Sequence, residues 1–317
     1  MIEPRVSVVV PAYNQCEYLR EALASALAQT MSDLEVIVVD DGSTDRTPEV
    51  CAAIGDPRLR YVRQANDATM GLGARNQAML LARGEWIAPL DQDDRWAPEK
   101  LERQLAMADH RRNVGAVFCR VQFVNADGQT QGEQAPALPS GDVFHQLLSA
   151  NRYYVSTGLF RRSLIPKMGL PHESVAIGDW YLWISVARHT EVAVVDEPLA
   201  DYRVHDEGFQ VAQRSADASR FWHDHWRFAQ AIAPRLHPGC AACRQAVSML
   251  RKQIADQQTE VVRAALQRGE FSRGVVDAIR RIWQAQPDGP ALQARCRSTL
   301  RLARAALRGA WARARPR

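Results

Sequence analysis

Several features that would assign this chain to a common class of protein are scarce in its 317 residues. No apolar run approaches the roughly 20 residues that a membrane-spanning helix requires. The apolar stretch at residues 6–10 is too short for the core of a secretory signal, and Pro11 ends it. Six cysteines are scattered along the chain, which does not indicate a disulfide framework. We therefore expect a cytoplasmic protein in a reducing environment.

Lysine is also scarce, and acidic residues are missing from one end of the sequence. Only three lysines occur, so arginine carries almost all of the positive charge, and the formal net charge is only +4. We expect no nucleic-acid partner. After Asp288 the chain holds eight arginines and no acid. Residues 292–314 have helical spacing, with one apolar face flanked by arginines, formed by Leu300, Ala303, Leu307 and Trp311 beside Arg297, Arg301, Arg304 and Arg308.

This basic segment has two interpretations that the sequence leaves open. It suits a helix lying on an anionic membrane surface, which predicts peripheral attachment at the inner face of the plasma membrane. It equally suits a helix that packs on its own domain and turns a solvated basic face to water.

The first hundred residues show a regular alternation of strand and helix patterns. Runs rich in β-branched and apolar residues predict buried strands at residues 6–10, 34–39, 59–62 and 85–90. Helical patterns lie between them, at residues 17–29, up to about 54, at 72–83, and from Pro98 to about 108. This order predicts an α/β fold in which helices flank a mostly parallel sheet.

The pattern changes after residue 114. We predict an extended segment at 114–124, a loop at 129–142, a helix at 179–189 and a strand at 192–196. From about residue 212 only helical patterns occur. The sequence therefore predicts a mixed α/β domain over residues 1–211 and a helical C-terminal extension with a basic amphipathic tail over 212–317.

Acidic residues cluster at the ends of two predicted strands. Asp40 and Asp41 follow the second strand, and Asp91, Asp93 and Asp94 follow the fourth. Ligands of open α/β sheets bind beyond the carboxyl ends of the strands. Clustered carboxylates repel one another, and a divalent cation offsets that cost, with Mg²⁺ or Mn²⁺ suited to oxygen ligands. Each cluster alone is more typical of a turn, a helix cap or a solvated loop, but the two together predict a metal–diphosphate site.

Four segments carry a resemblance to the family 2 glycosyltransferases. They are Val-Ser-Val-Val-Val-Pro-Ala-Tyr-Asn at 6–14, Val-Asp-Asp-Gly-Ser-Thr-Asp at 39–45, Gly-Ala-Arg-Asn at 73–76 and Leu-Asp-Gln-Asp-Asp at 90–94. The resemblance extends over about residues 5–208. It implies the GT-A fold and transfer of a sugar with inversion of its anomeric carbon.

The resemblance also implies roles for individual residues. Asp93 would bind the divalent metal, and His205, in a Tyr-Arg-Val-His segment, would bind the metal or the diphosphate. Asp179 would be the general base, although Gly178 stands where the family usually has Glu. The alternative for Asp179 is an acid that only favours the start of a helix. The nucleotide sugar would be held by Pro11, Ala12, Tyr13, Asn14, Asp40, Asp41, Arg75, Asp91 and Gln92.

The expected function is transfer of a sugar from a UDP- or dTDP-sugar to the hydroxyl of a carbohydrate or lipid-linked acceptor, in surface polysaccharide or glycolipid assembly. One alternative is a sugar nucleotidyltransferase, which would want a glycine-rich basic loop near the N-terminus; residues 11–14 are not such a loop. The other is a binding protein without catalysis, which would need neither Asp93 nor Asp179.

Overall fold

A computed structural model of the chain describes residues 3–66, 71–111, 113–168, 170, 178–205, 236–237 and 239–249. The chain divides into two compact units, residues 1–208 and 209–317. In the second unit the described residues include a helix at 241–249. The rest of the predicted helical extension, including the basic tail, lies outside the described residues. Within the described ranges, no helix has both the length and the apolar composition needed to cross a bilayer.

One mixed sheet organises the first unit. Within the described residues it contains nine strands: β1 (Val6–Ala12), β2 (Leu34–Asp40), β3 (Leu59–Arg63), β4 (Trp86–Pro89), β5 (Arg95–Trp96), β6 (Val114–Val124), β7 (Thr130–Glu133), β8 (Leu159–Arg161) and β9 (Glu191–Arg203). Their order is β3-β2-β1-β4-β8-β6-β9-β5, and β7 pairs with β6. The first four strands are parallel, β8 runs antiparallel to both of its neighbours, and β6 and β9 are parallel to each other.

The helices follow the alternation that the sequence predicts. Those described are α1 (Cys16–Leu27), α2 (Thr47–Ile54), α3 (Leu72–Leu81), α4 (Lys100–Asp109), α5 (Phe144–Leu147), α6 (Ile165–Met168) and α7 (Gly178–Ala187). Every residue of β1 and β2 is buried, as expected for parallel strands covered on both faces. The chain leaves β1 towards β2 on one side and returns to β4 on the other, so the ends of β1 and β4 flank a switch point of the sheet.

The structure differs from the sequence-based prediction in four strands. The predicted loop at 129–142 was wrong for residues 130–133, which form the polar strand β7 on the side of β6. Strands β5 and β8 were missed because two or three residues are too few to show a period. Strand β9 extends well past the predicted end at 196, through Pro198, with register shifts in its pairing with β6. That extension carries the chain to Arg203, beside the end of β4.

Candidate active site

The ends of β1 and β4 are joined by one side chain. The amide of Gln92 accepts a hydrogen bond from the backbone N–H of Tyr13 at 2.8 Å and donates to the Tyr13 carbonyl at 3.1 Å. Pro11 and Ala12 are the last, buried residues of β1. The Tyr13 side chain is 46% exposed. Gln92 therefore fixes the backbone from which the Tyr13 ring projects at the switch point.

Asn14 ties the turn after β1 to the loop after β2. Its side-chain oxygen accepts from the N–H of Thr44 at 2.9 Å, and its own N–H donates to the hydroxyl of Ser43 at 2.8 Å. Asn14 and Gln15 both have left-handed backbones, with φ of 55° and 58°. Such a conformation is unfavourable for residues other than glycine, so these side-chain contacts hold a strained turn in place.

Asp40 lies completely buried beneath this loop. One of its oxygens accepts from the N–H of Ser43 at 2.8 Å, and the other accepts from the hydroxyl of Tyr61 at 2.5 Å. The carboxylate thus satisfies buried donors of the loop and of β3, which is a supporting position. Its predicted contact with the nucleotide stays a prediction.

Asp41 is the buried acid that follows. Its carboxylate accepts from the side-chain amides of Gln64 at 2.7 Å and Asn66 at 3.3 Å. Its N–H donates to the carbonyl of Ala12 at 2.8 Å, which extends the parallel pairing of β1 and β2 to the edge where the acids lie. A side chain at Gly42 would place its Cβ 2.9 Å from the Asn66 nitrogen, and Gly42 has a φ of +79°. The segment therefore requires glycine directly after this acid.

Three more acids follow β4. One carboxylate oxygen from each of Asp91, Asp93 and Asp94 lies within 4.8 Å of the others. Asp94 is only 2% exposed; one of its oxygens accepts from the N–H of Arg203 at 3.1 Å, and the other accepts from the hydroxyl of Ser156 at 2.5 Å. Burial, with Asp93 and Asp91 nearby, raises the pKa of Asp94 well above its ordinary value. Because both of its oxygens have protein partners, Asp94 joins the turn after β4 to β9.

Asp91 is paired with Arg75, which is also predicted to hold the nucleotide sugar. The Nη2 of Arg75, near the start of α3, donates to Asp91 at 2.8 Å, and the N–H of Asp91 donates to the hydroxyl of Ser156 at 3.1 Å. Burial raises the pKa of Asp91; Arg75 opposes this rise, and the charge of Asp93 adds to it. The arginine thus neutralises part of the charge that gathers after β4.

Asp93 lies closest to the predicted second metal ligand. Its Oδ2 is 3.1 Å from the Nε2 of His205. The side chain of Asp93 is 27% exposed and that of His205 is 4% exposed. The Nε of Arg203 donates to the backbone carbonyl of Asp93 at 2.9 Å, and the ring of Tyr18 lies 5.0 Å from the His205 ring. The structure therefore brings the two predicted metal residues together.

Asp179 lies in the first turn of α7. Its carboxylate accepts from the N–H of Trp180 at 2.7 Å and from the side-chain amide of Asn151 at 3.0 Å. Burial raises the pKa of Asp179, and the positive charge of Arg75 opposes the rise. The charge of Asp179 in turn raises the pKa of Asp91. The predicted base and Asp91 therefore act on one another electrostatically, with Arg75 as their common cation.

The glycine at position 178, where the family usually has Glu, has a physical reason. A Cβ at this position would lie 2.8 Å from the Cδ1 of Leu72, the first residue of α3. Glycine therefore lets the start of α7 approach the start of α3 closely, and a Glu here would require Leu72 to move.

Comparison with known proteins identifies the family. The family model described as "Glycosyl transferase family 2" matches residues 7–168, just over half of the chain. The chain belongs to glycosyl transferase family 2. The matched range holds the predicted site residues from Pro11 to Asp93, whereas Asp179 and His205 lie beyond it.

Curated relatives agree with this membership. The succinoglycan biosynthesis protein ExoO of Rhizobium meliloti (strain 1021) is 34% identical over 215 residues, which are 64% of this chain and 61% of that protein. An uncharacterized glycosyltransferase of Nostoc sp. is 30% identical over 230 residues, 68% of this chain and 70% of that protein. In an uncharacterized glycosyltransferase of Rickettsia felis, the match spans only 33% of the relative. The match with this family 2 chain thus spans less than two thirds of the length of several of its relatives.

Solved structures show the fold. Residues 1–349 of S. aureus TarS, in complex with UDP-GlcNAc, give a TM-score of 0.62 at 19% identity, over 88% of this chain and 81% of that one. A mannosyltransferase from Pyrobaculum calidifontis, in complex with GDP-Man and Mn²⁺, gives 0.57 at 20% identity, over 98% of this chain and 88% of that one. The GT-A fold expected for this family 2 member is therefore confirmed.

Sequence-based reasoning missed three residues that organise the family 2 site. Ser156 contacts both Asp91 and Asp94, Arg203 holds the turn after β4 from the end of β9, and Asn151 donates to Asp179. The Tyr-Arg-Val-His segment pointed to the region of Arg203, but neither Ser156 nor Asn151 belongs to a recognisable motif. Their partners lie 62 and 28 residues away along the chain.

Proposed function

We propose that this chain is a metal-dependent inverting glycosyltransferase that moves a sugar from a UDP- or dTDP-sugar to an acceptor hydroxyl. The observation that carries the proposal is the shared position of Arg75: it bonds Asp91 at 2.8 Å, and its charge acts on Asp179. A donor-side acid and the proposed base, which lies on a separate helix, thus share one cationic neighbour. Inversion in one displacement needs a base near the donor, because the acceptor oxygen that the base deprotonates attacks the sugar carbon from the side opposite the leaving group.

The residues after β4 suit a divalent cation. Asp94 is occupied by Ser156 and the Arg203 backbone, which leaves Asp93, beside His205, as the carboxylate best placed to hold Mg²⁺ or Mn²⁺. One or two carboxylates are what Mg²⁺ usually takes from a protein when phosphate oxygens complete its coordination. When bound, such an ion would stabilise the negative charge on the departing nucleoside diphosphate.

The remaining chemistry is assigned to side chains of the chain itself. Asp179 takes the proton of the acceptor hydroxyl while the acceptor oxygen forms a bond to the anomeric carbon. The bond from that carbon to the diphosphate breaks in the same step, the electron pair leaves with the diphosphate, and the configuration inverts. Hydrogen bonds from Trp180 and Asn151 hold the Asp179 carboxylate in one orientation for this transfer.

A relative's printed role suggests the biological setting. Since ExoO is named for succinoglycan biosynthesis, we propose a role in polysaccharide or glycolipid assembly, with a carbohydrate or lipid-linked acceptor. The cytoplasmic location is a separate proposal that rests on the sequence alone. The TarS complex with UDP-GlcNAc supports a nucleotide-sugar donor of the same chemical class.

The test is a screen of nucleotide sugars for release of free nucleoside diphosphate, with Mn²⁺ or Mg²⁺ and then with excess chelator. We expect release only with metal, and expect Asp93→Ala to abolish it. Asp109→Ala is the matched control, since Asp109 forms an exposed ion pair with Arg5, which precedes β1 at the opposite end of the strand. Full activity of Asp93→Ala, or of the wild type in chelator, would remove the metal from the mechanism. Conversion of a nucleotide sugar and added pyrophosphate into a nucleoside triphosphate and a sugar 1-phosphate would instead indicate a nucleotidyltransferase.

A further inference from the structure

Three aromatic side chains form a cluster next to the proposed base. The ring centroids of Tyr154 and Tyr202 are 4.6 Å apart, and Phe123 packs edge-on against both, at 5.8 and 6.2 Å. All three side chains are half-buried. Phe123 and Tyr202 come from β6 and β9, which pair there, and Tyr154 comes from the segment that precedes β8. The proposed chemistry assigns no role to this aromatic cluster.

The chain places Tyr154 between the proposed base and the acids after β4. Three residues before it, Asn151 donates to Asp179; two residues after it, Ser156 donates to Asp94. Tyr202 directly precedes Arg203, which holds the Asp93 carbonyl. The charges of Asp179 and Asp94 act on Tyr154, and that of Asp94 acts on Tyr202, so both tyrosines lie near the proposed reaction site.

The hydroxyl groups of these tyrosines are available to a ligand. In the described ranges, neither Tyr154 nor Tyr202 donates a hydrogen bond to the protein, whereas Tyr61 and Tyr153 each bond an oxygen at 2.5 Å. Partly buried tyrosine hydroxyls usually find a partner. Burial raises the pKa of both phenols, and nearby Asp179 or Asp94 adds to the rise, so both remain protonated donors.

We propose that Tyr154 and Tyr202 form the acceptor subsite and that this subsite takes a saccharide, an inference that rests on the proposed function. A pyranose offers an apolar C–H face, which suits an aromatic ring, and hydroxyls at its rim, which suit phenol donors. A plain hydrocarbon acceptor would cover the rings but leave the phenol donors unpaired, and sites built to bond a hydroxyl reject ligands that lack it.

The experiment compares acceptor kinetics with acceptor-independent donor hydrolysis. The acceptors are methyl pyranosides of the common hexoses, and straight-chain alkanols serve as the apolar comparison. We expect Tyr154→Ala to raise the acceptor KM about tenfold or more, the scale of one or two lost hydrogen bonds with their packing. Tyr154→Phe and Tyr202→Phe should each lower acceptor kcat/KM severalfold. Donor KM and donor hydrolysis should change less than about twofold.

Tyr153→Phe is the control for the loss of a tyrosine hydroxyl, because its hydroxyl bonds the carbonyl of Pro139. It should leave acceptor KM unchanged. If Tyr154→Ala does not fold, the two Phe variants decide the question, since they keep the rings. An unchanged acceptor KM in the Tyr154 and Tyr202 variants, or stimulation by alkanols alone, would overturn the inference while donor turnover stands. Absence of metal-dependent donor turnover in the wild type would instead overturn the proposed function.

Discussion

Lys100 shows how one residue can oppose the stability of the fold. It is completely buried at the start of α4, where its Nζ donates to Gln104 at 2.9 Å and lies 4.0 Å from the centre of the Trp96 ring. Burial lowers the pKa of Lys100 from 10.5 to about 8, although the nearby Cys119 opposes the shift. A lowered pKa means that the fold disfavours the protonated form, by about 3 kcal/mol for a shift of this size.

We therefore expect Lys100→Met to stabilise the protein at pH 7, because it removes the buried charge. The gain should be about 1–3 kcal/mol, since the contact with the Trp96 ring and the hydrogen bond to Gln104 are lost as well. The free-energy cost of burying the Lys100 charge lowers wild-type stability in full below about pH 8. This cost disappears as the pH rises towards 10.5, because the unfolded chain then loses the proton too. The advantage of the variant should shrink over that interval in urea unfolding measurements. Lys167→Met, at an exposed position, should show no such pH dependence. A variant less stable than wild type at pH 7 would show that the Trp96 ring outweighs the cost of burial.

At the scale of single elements, α7 positions the proposed base through its packing. Trp183 of α7 is completely buried, with its ring 4.6 Å from that of Phe118. A Cβ at Gly158, which directly precedes β8, would overlap the Trp183 ring. The distance between α7 and the sheet, and with it the place of Asp179, therefore depends on this glycine.

We expect Gly158→Ala to lower the free energy of unfolding by about 1–3 kcal/mol, the usual cost of overpacking. Because the displaced helix carries Asp179, sugar transfer should fall more than donor hydrolysis does. Gly115→Ala is the matched control: its Cβ would come 2.5 Å from Thr190, beyond the other end of α7, so both rates should change in the same proportion. If Gly158→Ala lowers sugar transfer and donor hydrolysis by the same factor, the packing of α7 does not set the position of the base.

The elements that the sequence predicted well are those with many buried residues of one type. Strands β1 and β2 are buried over all seven residues, four of them β-branched in each strand, and their ends located Tyr13 and Asp41 correctly at the sheet edge. Ser156 could not be found in this way, because its role consists of two contacts with residues more than sixty positions earlier. The reach of β9 to Arg203 was also hidden, since Pro198 interrupts the strand pattern.

At the scale of the whole molecule, the basic segment at 292–314 lies outside the described residues and keeps its two interpretations. If it attaches the protein to a membrane, full-length protein should bind anionic vesicles at low salt and dissociate as salt screens the charges. Replacing Arg297, Arg301, Arg304 and Arg308 by Gln should weaken that binding by about 1 kcal/mol for each residue. A full-length protein that ignores anionic vesicles at low salt would favour the packed helix.

Two regions of the chain divide the proposed reaction between them. The donor is assigned to residues at or just after the ends of β1, β2 and β4, with Arg75 on α3, and proton removal is assigned to Asp179 on α7. Replacing Asp179 by Asn keeps its shape but removes its ability to take a proton. Asp142→Asn is a matched control, because Asp142 also accepts a backbone N–H at a helix start, that of Phe144 at 3.2 Å.

The most direct measurement is the rate of sugar transfer by Asp179→Asn at saturating donor and Mn²⁺, with donor affinity followed by calorimetric titration of the nucleoside diphosphate. We expect transfer to fall by about a hundredfold or more, the scale of losing a general base, with donor affinity nearly unchanged. Asp142→Asn should transfer normally. If Asp179→Asn instead loses donor affinity and transfers at the wild-type rate once saturated, Asp179 is a binding residue and the base lies elsewhere.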